Sequence, residues 1–243
     1  MKSVDAHWEK RNLGVTCTEL TCEVGDETAA VLAAANALGN EYLVIKVPAK
    51  RTDLLLEIQR LGFAVIEVVF RIRRDLRTLE LSSAYARFAK DLTSHAATAG
   101  EIERVLDEVR GGVFQTDRCA LDPAFAQGLA AQRYCNWISD ELERGAEIYI
   151  TAFKGVDIGF SILKDRGQGQ FHGLFGALYR DNKYLALGFA VGWTNLVVAK
   201  QRGGRTIETA VSTNNVPAVK MNLSIGYEIQ EVQYVLVKHQ SQR

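Results

Sequence analysis

Six residues in the second half of the chain, Lys183-Tyr184-Leu185-Ala186-Leu187-Gly188, have the types and spacing to hold a phosphate. A basic residue is followed by small ones at the third and fifth places after it, and small residues let a backbone come close to a ligand. An apolar, strand-like run over residues 170–179 leads through the polar turn Arg180-Asp181-Asn182-Lys183 into a stretch that is small and apolar at helical spacing. A helix starting there presents free N–H groups and a partial positive charge of roughly half a unit. Phosphate is the natural ligand of such an end. A glycine in a small-residue helix also serves close helix packing, so the corner needs a second signal.

That signal lies downstream. Residues 205–213, RTIETAVST, alternate as a strand does, and Asn214-Asn215-Val216-Pro217-Ala218 opens a helix with an Asn cap and a Pro in its first turn. Gly226-Tyr227 ends that helix, and EIQEVQYVLVK starts a further strand.

The corner resembles the pyrophosphate loop of the GCN5-related N-acetyltransferases, Gln/Arg-x-x-Gly-x-Gly/Ala, with Lys183, Ala186 and Gly188 on the marked positions. It departs from that pattern in having Lys for Gln/Arg and Ala for the first Gly. The downstream segment resembles the same family's Asn-x-x-Ala-x-x-x-Tyr-x-x-x-Gly-Phe/Tyr, with Asn215, Ala218, Gly226 and Tyr227 in register. The resemblance implies an α/β (or α+β) fold with a central, mixed, twisted sheet and helices on both faces. It implies acetyl-CoA as cosubstrate and no metal. In this reading backbone N–H groups of Phe175, Gly176, Ala177 and Leu178 meet the thioester, those of Lys183 through Gly188 meet the pyrophosphate, and Asn215 contacts the pantetheine arm.

The chain's bulk agrees with an ordinary soluble globule: 243 residues, 47% apolar and 24% charged. Twenty-nine basic residues balance 29 acidic ones, which leaves no global pull toward nucleic acid or an anionic membrane. The four cysteines, Cys17, Cys22, Cys119 and Cys135, have no metal-ligand spacing and read as buried thiols. No apolar leader run opens the sequence, and the run over residues 184–199 is too short and too broken to span a bilayer, so a cytosolic, reduced protein is expected.

Residues 42–47 read as a strand, 51–61 as a helix and 64–72 as a strand, with Gly62-Phe63 between helix and strand. This order matches residues 205–238 and suggests a weak internal repeat. Residues 1–80 are therefore expected to form a partial acetyltransferase-like unit without a phosphate loop, in a structural role or flanking the substrate cleft. Residues 81–243 would form the full domain: a polar connector to residue 92, a strand at 93–97, helices at 101–109 and 124–144, and a hairpin of 147–153 with 156–163 about Lys154-Gly155.

Arg118-x-x-x-Asp122-Pro123, followed by Arg133-Tyr134-x-x-Trp137-Ile138, narrows the resemblance to the TDP-fucosamine acetyltransferases, which acetylate the amine of a nucleotide-linked 4-amino-4,6-dideoxy sugar. By their own chemistry Arg118 and Arg133 suit a diphosphate, since a guanidinium can bind phosphate oxygens in pairs. The alternatives are an Arg118–Asp122 pair, a solvated Arg133, and a Trp137 that anchors a core.

Acyl transfer needs an amine that has lost a proton, a donor for the thioester oxygen, and in some enzymes an acid for the leaving thiolate. The family's acid is a tyrosine seven residues after the motif Asn; here that position is Asn222, which cannot deliver a proton at neutral pH. Tyr227, Tyr179 or His172 could substitute, the thiolate could leave unaided, or the chain could bind without catalysing. Unaided departure is the expectation taken, with His172 as candidate base. The readings kept open are an acetyltransferase for a nucleotide-linked amino sugar, one for another small amine such as an amino acid, and a non-catalytic CoA-binding sensor. A homodimer also stays open.

Overall fold

Strand periodicity in this chain is carried by β-branched runs that bury one or both faces. Residues YLVIKVP (Tyr42–Pro48) are buried except at Lys46, and VDIGFSILKD (Val156–Asp165) is buried over its middle six positions. Runs of this kind belong inside a sheet with helices on both faces. The computed structural model describes residues 1–240 except Gln127 and Asn182, and of Leu185 only the backbone. In chain order the elements are β1 (Lys2–Asp5), α1 (Trp8–Leu13), β2 (Cys17–Thr21), α2 (Thr28–Ala37), β3 (Tyr42–Pro48), α3 (Thr52–Arg60) and β4 (Ala64–Asp75). There follow α4 (Ser83–Ala89), β5 (Leu92–Ala96), α5 (Ala99–Arg110), α6 (Arg118–Leu121), α7 (Leu129–Glu143), β6 (Glu147–Phe153), β7 (Val156–Asp165) and β8 (Gln170–Leu178). A 3₁₀ turn (Leu185–Leu187), α8 (Gly188–Gln201), β9 (Thr206–Ser212), α9 (Val216–Ser224) and β10 (Glu228–His239) complete the chain.

Among the described residues ten strands form one mixed sheet, in the order β1-β2-β3-β10-β4-β9-β8-β7-β6-β5. The centre holds an exchange. β10, which follows β9-α9, lies between β3 and β4; β4, which follows β3-α3, lies between β10 and β9. Each strand-helix-strand unit thus sends its last strand into the other, and the antiparallel β4–β10 pair joins the two. The order strand, helix, strand is the same in β3-α3-β4 and in β9-α9-β10.

Apolar clusters sit on both faces. One packs α8 against Phe171, Ile207 and Val211, and another packs α5 and α7 against Ile148, Phe160 and Ile162. In the first unit Val31, Leu54 and Ile58 of α2 and α3 cover Leu43, Ile45 and Leu236, while Leu13 and Cys119 lie against Tyr42, Val44 and Val235 on the other face. All four cysteines are buried free thiols. No helix among the described residues is long and apolar enough to cross a membrane.

Three elements differ from the sequence expectation. The helix expected over 124–144 begins at Leu129, because Gly128 takes a left-handed φ of 91° just before it. Ahead of it Asp117 caps the short α6 by accepting the N–H of Ala120 at 3.0 Å. The polar connector contains α4, whose Tyr85 stacks on Phe189 with centroids 4.2 Å apart.

Candidate functional site

β8 and β9 run parallel and pair at Gln170 with Thr206, Phe171 with Ile207 and His172 with Glu208. There the pairing stops, although β8 continues to Leu178 and β9 to Ser212. A bulge explains the parting: on its other edge β8 pairs Gly173 with Leu163 and Phe175 with Ile162, leaving Leu174 as an extra residue that bends the strand. Beyond His172 the facing edges of the two strands have no strand partner among the described residues, and they line a cleft of about 1490 Å³ that also reaches α1, β4 and α7. Gly188, Val191 and Asn195 of α8 and Met221 and Asn222 of α9 line it on one face, Tyr134 and Trp137 of α7 on the other.

The first unit has no such opening. Its parallel pair, β2 and β3, stays in register from Cys17–Tyr42 to Thr21–Lys46, the whole length of β2. The segment leading to its helix carries Glu23, Asp26 and Glu27, and the Asp26 carboxylate is occupied by the Met1 ammonium and the Glu23 N–H.

The expected cofactor residues fall in different places. Phe175, Gly176, Ala177 and Leu178 lie along the opened edge of β8 and line the cleft. Of the corner, Gly188 lines it, and a Cβ built there would meet nothing within 4 Å among the described residues. The helix proper starts at Gly188; the 3₁₀ turn before it is closed by the Leu187 N–H to Tyr184 O at 2.9 Å. Lys183 and Ala186 are exposed, Leu187 is in the core, and Tyr184 packs edge-on to Phe153 at 5.2 Å. The Leu185 side chain, like Asn182, lies outside the described residues. Asn215 lines the cleft and caps α9, accepting the Ala218 N–H at 3.1 Å.

Asn222 is nearly buried, faces the cleft, and donates Nδ2–H to Ala218 O at 2.9 Å within its own helix. Tyr227 lines the cleft too but is almost wholly packed in the apolar cluster around α8, and burial pushes its hydroxyl well above the usual tyrosine value. His172 lines the cleft where the strands part, with Nδ1 3.1 Å from Arg166 Nη2. Burial and the Arg166 charge hold its imidazole below the usual 6.5, against the pull of Glu208 and Glu141.

Arg118 and Arg133 are buried in ion pairs. Arg118 Nη2 donates to Glu9 at 3.0 Å and to Glu19 at 2.6 Å, and Arg133 binds Glu9 through Nε and Nη2 at 2.7–2.9 Å. Glu9 is 0% exposed, and Lys46 closes the group on Glu19 at 2.8 Å. Asp122 is not the partner of Arg118; it bonds His239 Nε2 at 2.8 Å. The two guanidiniums therefore serve carboxylates from α1 and β2 that stand far away in sequence. Trp137 is 36% exposed, edge-on to Phe175 at 4.6 Å and stacked on Tyr134 at 6.2 Å, forming an aromatic wall.

Other residues of the cleft gave no motif signal. Asn195 Oδ1 and Ser161 Oγ are buried without a hydrogen-bond partner among the described residues, and both residues line it. Glu67 of β4 and Glu208 of β9 also line it. Ser161, Glu67 and Glu208 are polar residues in strands, where an alternating pattern marks them only as facing away from the apolar side, and Asn195 lies within the apolar helix α8.

No family model matches this sequence, and no curated protein matches it. Solved structures do. A functionally unknown conserved protein from Staphylococcus epidermidis ATCC 12228 superposes with a TM-score of 0.59 at 15% identity, over 93% of this chain and 85% of that one. A GCN5-related N-acetyltransferase from Sphaerobacter thermophilus gives 0.57 at 13% identity, over 82% of this chain and 59% of that one. A tandem GNAT protein from the clavulanic acid biosynthesis pathway gives 0.52 at 16% identity, over 88% and 68%. At such identities likeness establishes architecture, and the fold of this chain is that of the GCN5-related N-acetyltransferases, with a sheet consistent with a tandem arrangement.

Proposed function

We propose that the cleft binds acetyl-CoA and that the protein transfers the acetyl group to the amine of a small acceptor. The parting of β8 and β9 after His172 and Glu208, over residues where both strands continue, carries this reading. Two strand edges without a partner there suit an extended ligand that itself carries amides, by strand addition. The open α8 N-terminus at Gly188 suits a diphosphate at the end of that ligand. The unpartnered Asn195 Oδ1 and Ser161 Oγ are further polar groups that a ligand or water could satisfy. Acetyl-CoA would supply an activated thioester. Of this chain's residues, the backbone N–H groups beside the Leu174 bulge would donate to its carbonyl oxygen, and Tyr134, Trp137 and Phe175 would wall the acceptor's side.

For the acceptor we infer a nucleotide-linked amino-dideoxy sugar, with other small amines as the second reading. The sequence resemblance over residues 118–138 and the exposed ring of Trp137 support the sugar. Because Arg118 and Arg133 are spent on Glu9 and Glu19, the diphosphate falls to Arg71 and Arg73, which line the cleft, are half exposed, and hold Glu231 and Glu208 only at 3.4 and 4.0 Å. Calorimetry with CoA, followed by thiol release from acetyl-CoA with a panel of nucleotide-linked amino sugars and simple amines, tests the proposal. Absence of CoA binding overturns it. Binding without amine-dependent thiol release makes the protein a CoA binder instead.

A further inference from the structure

The first unit contributes a side chain to the cleft of the second. Glu67 stands on β4, the strand exchanged into the middle of the sheet, just past the end of β9: Ser212 pairs with Val69, and the Thr213 N–H reaches Val68 O at 2.8 Å. The residue is 7% exposed and lines the cleft on the side of α6 and α7. Its carboxylate accepts the Arg118 N–H at 3.0 Å and the Ser212 hydroxyl. The Arg118 guanidinium is committed to Glu9 and Glu19, so Glu67 receives that residue's peptide dipole and only a weakened share of its charge.

The other groups that face Glu67 are Asp117, from the loop before α6, and Tyr134 of α7. Burial, assisted by Asp117, pushes the Glu67 carboxyl up to about 6. A nearly buried carboxylate without a full counter-charge, in a chamber walled by Tyr134, Phe175 and Trp137, is suited to a cation.

We propose that Glu67 binds the ammonium of the acceptor and takes its proton, so that the exchanged strand of the first unit supplies the catalytic base. This rests on the acetyl-transfer reading above. One proton of the acceptor ammonium passes to Glu67. The freed nitrogen pair bonds to the acyl carbon while the carbon–sulfur bond breaks, the nitrogen's second proton leaves with the sulfur as free thiol, and Glu67 returns its proton to water. A base of this kind contributes roughly 10²- to 10⁴-fold.

The test compares the full-length protein with Glu67→Gln, using acetyl-CoA and two probe nucleophiles. Ethanolamine is protonated at neutral pH and needs a base; hydroxylamine is largely unprotonated there and does not. Glu67→Gln should lose about 10²-fold or more with ethanolamine, stay within a few-fold with hydroxylamine, and lose the rise in kcat/KM with pH through about 6. CoA affinity should not change. Equal loss with both nucleophiles at intact CoA affinity, or no loss with either, overturns the role of Glu67 alone. If the native protein fails to bind CoA, or releases no thiol with either nucleophile, the acetyl-transfer reading falls and this one with it.

Discussion

His172 and Glu208 stand opposite each other as the last pair joining β8 to β9, and the Arg166 guanidinium fixes which nitrogen of His172 holds the proton. A guanidinium only donates, so Nδ1, 3.1 Å from Arg166 Nη2, must accept, and the neutral ring carries its hydrogen on Nε2. Held this way, His172 offers the cleft an N–H. A base role for it requires Arg166 to let go. Nitrogen-15 NMR of the imidazole should show the Nε2–H tautomer. Arg166→Met, which removes a charge that lowers the imidazole pKa, should raise that pKa. An Nδ1–H tautomer in the native protein would refute the assignment.

Two glycines four residues apart on α8 should respond differently. At Gly188 an added Cβ meets nothing within 4 Å among the described residues, and the side chain would project at the helix start facing the cleft. Gly188→Trp should therefore lower CoA affinity by about 10²-fold or more, since obstructing the anion site removes several charge-assisted bonds, and should leave Tm nearly unchanged. At Gly192 a Cβ would lie 2.8 Å from Ile225 Cδ1 and Met221 Sδ, so Gly192→Ala must push α8 from α9 and cost about 1–3 kcal/mol. Calorimetry and thermal melts of the two variants check the contrast.

Much of this arrangement was legible in the sequence. The Asn215 cap, the turn at Gly226 with φ of 87° and the matching turn at Gly62 are local devices, and each appears at its expected position. The exchange of β4 and β10 was not legible, because alternation reports which face of a strand is buried and says nothing of its neighbours. The fate of Arg118 was hidden for a related reason: its carboxylate partners stand 109 and 99 residues away, outside any motif. The same distance conceals Glu67, whose neighbours come from α6, α7 and β9.

The Arg118–Arg133–Glu9–Glu19 group ties α1 and β2 to α6 and α7, so its loss should appear in stability first. Arg133→Met leaves Glu9, 0% exposed, with one guanidinium fewer and should cost about 3–5 kcal/mol. Acid should act on the same group. Burial alone would raise Glu19, but Arg118 and Lys46 overcome it and bring the carboxyl down to about 2. A depressed carboxyl gives stability that is present above the unfolded value near 4.5 and is lost as pH falls toward 2. Urea melts should show that loss in the native protein and a reduced loss in Glu19→Gln.

Glu67 has the opposite sign. Its carboxyl, normally near 4.5, titrates at about 6, so the folded protein binds the proton more tightly than the unfolded chain. Stability should then decline as pH rises from about 4.5 to about 6, by roughly 2 kcal/mol from this group. Glu67→Gln should remove the decline and stand above the native protein at pH 7.5, as expected where function holds a charge in a costly place. Equal stability of the two proteins across the range would show that Glu67 bears no such penalty.

Asn222 bears on how the thiolate leaves. It occupies the place where the resembled family has tyrosine, it lines the cleft, and its Nδ2 is already given to Ala218 O at 2.9 Å. An amide so engaged keeps its carbonyl oxygen and one Nδ2–H, and although that N–H can donate a hydrogen bond, an amide cannot deliver a proton to sulfur at neutral pH. Asn222→Ala should therefore cost less than about tenfold in kcat, below the roughly 10²-fold expected when a working acid is removed. Asn222→Tyr should raise kcat if its ring extends into the open cleft with the hydroxyl toward the sulfur. Tyr227 also lines the cleft, but burial raises its hydroxyl well above the usual tyrosine value and so makes it a poor proton donor to sulfur. A drop of about 10³-fold in Asn222→Ala, with CoA affinity and Tm unchanged, would show instead that the amide turns from Ala218 to the reacting thioester during turnover.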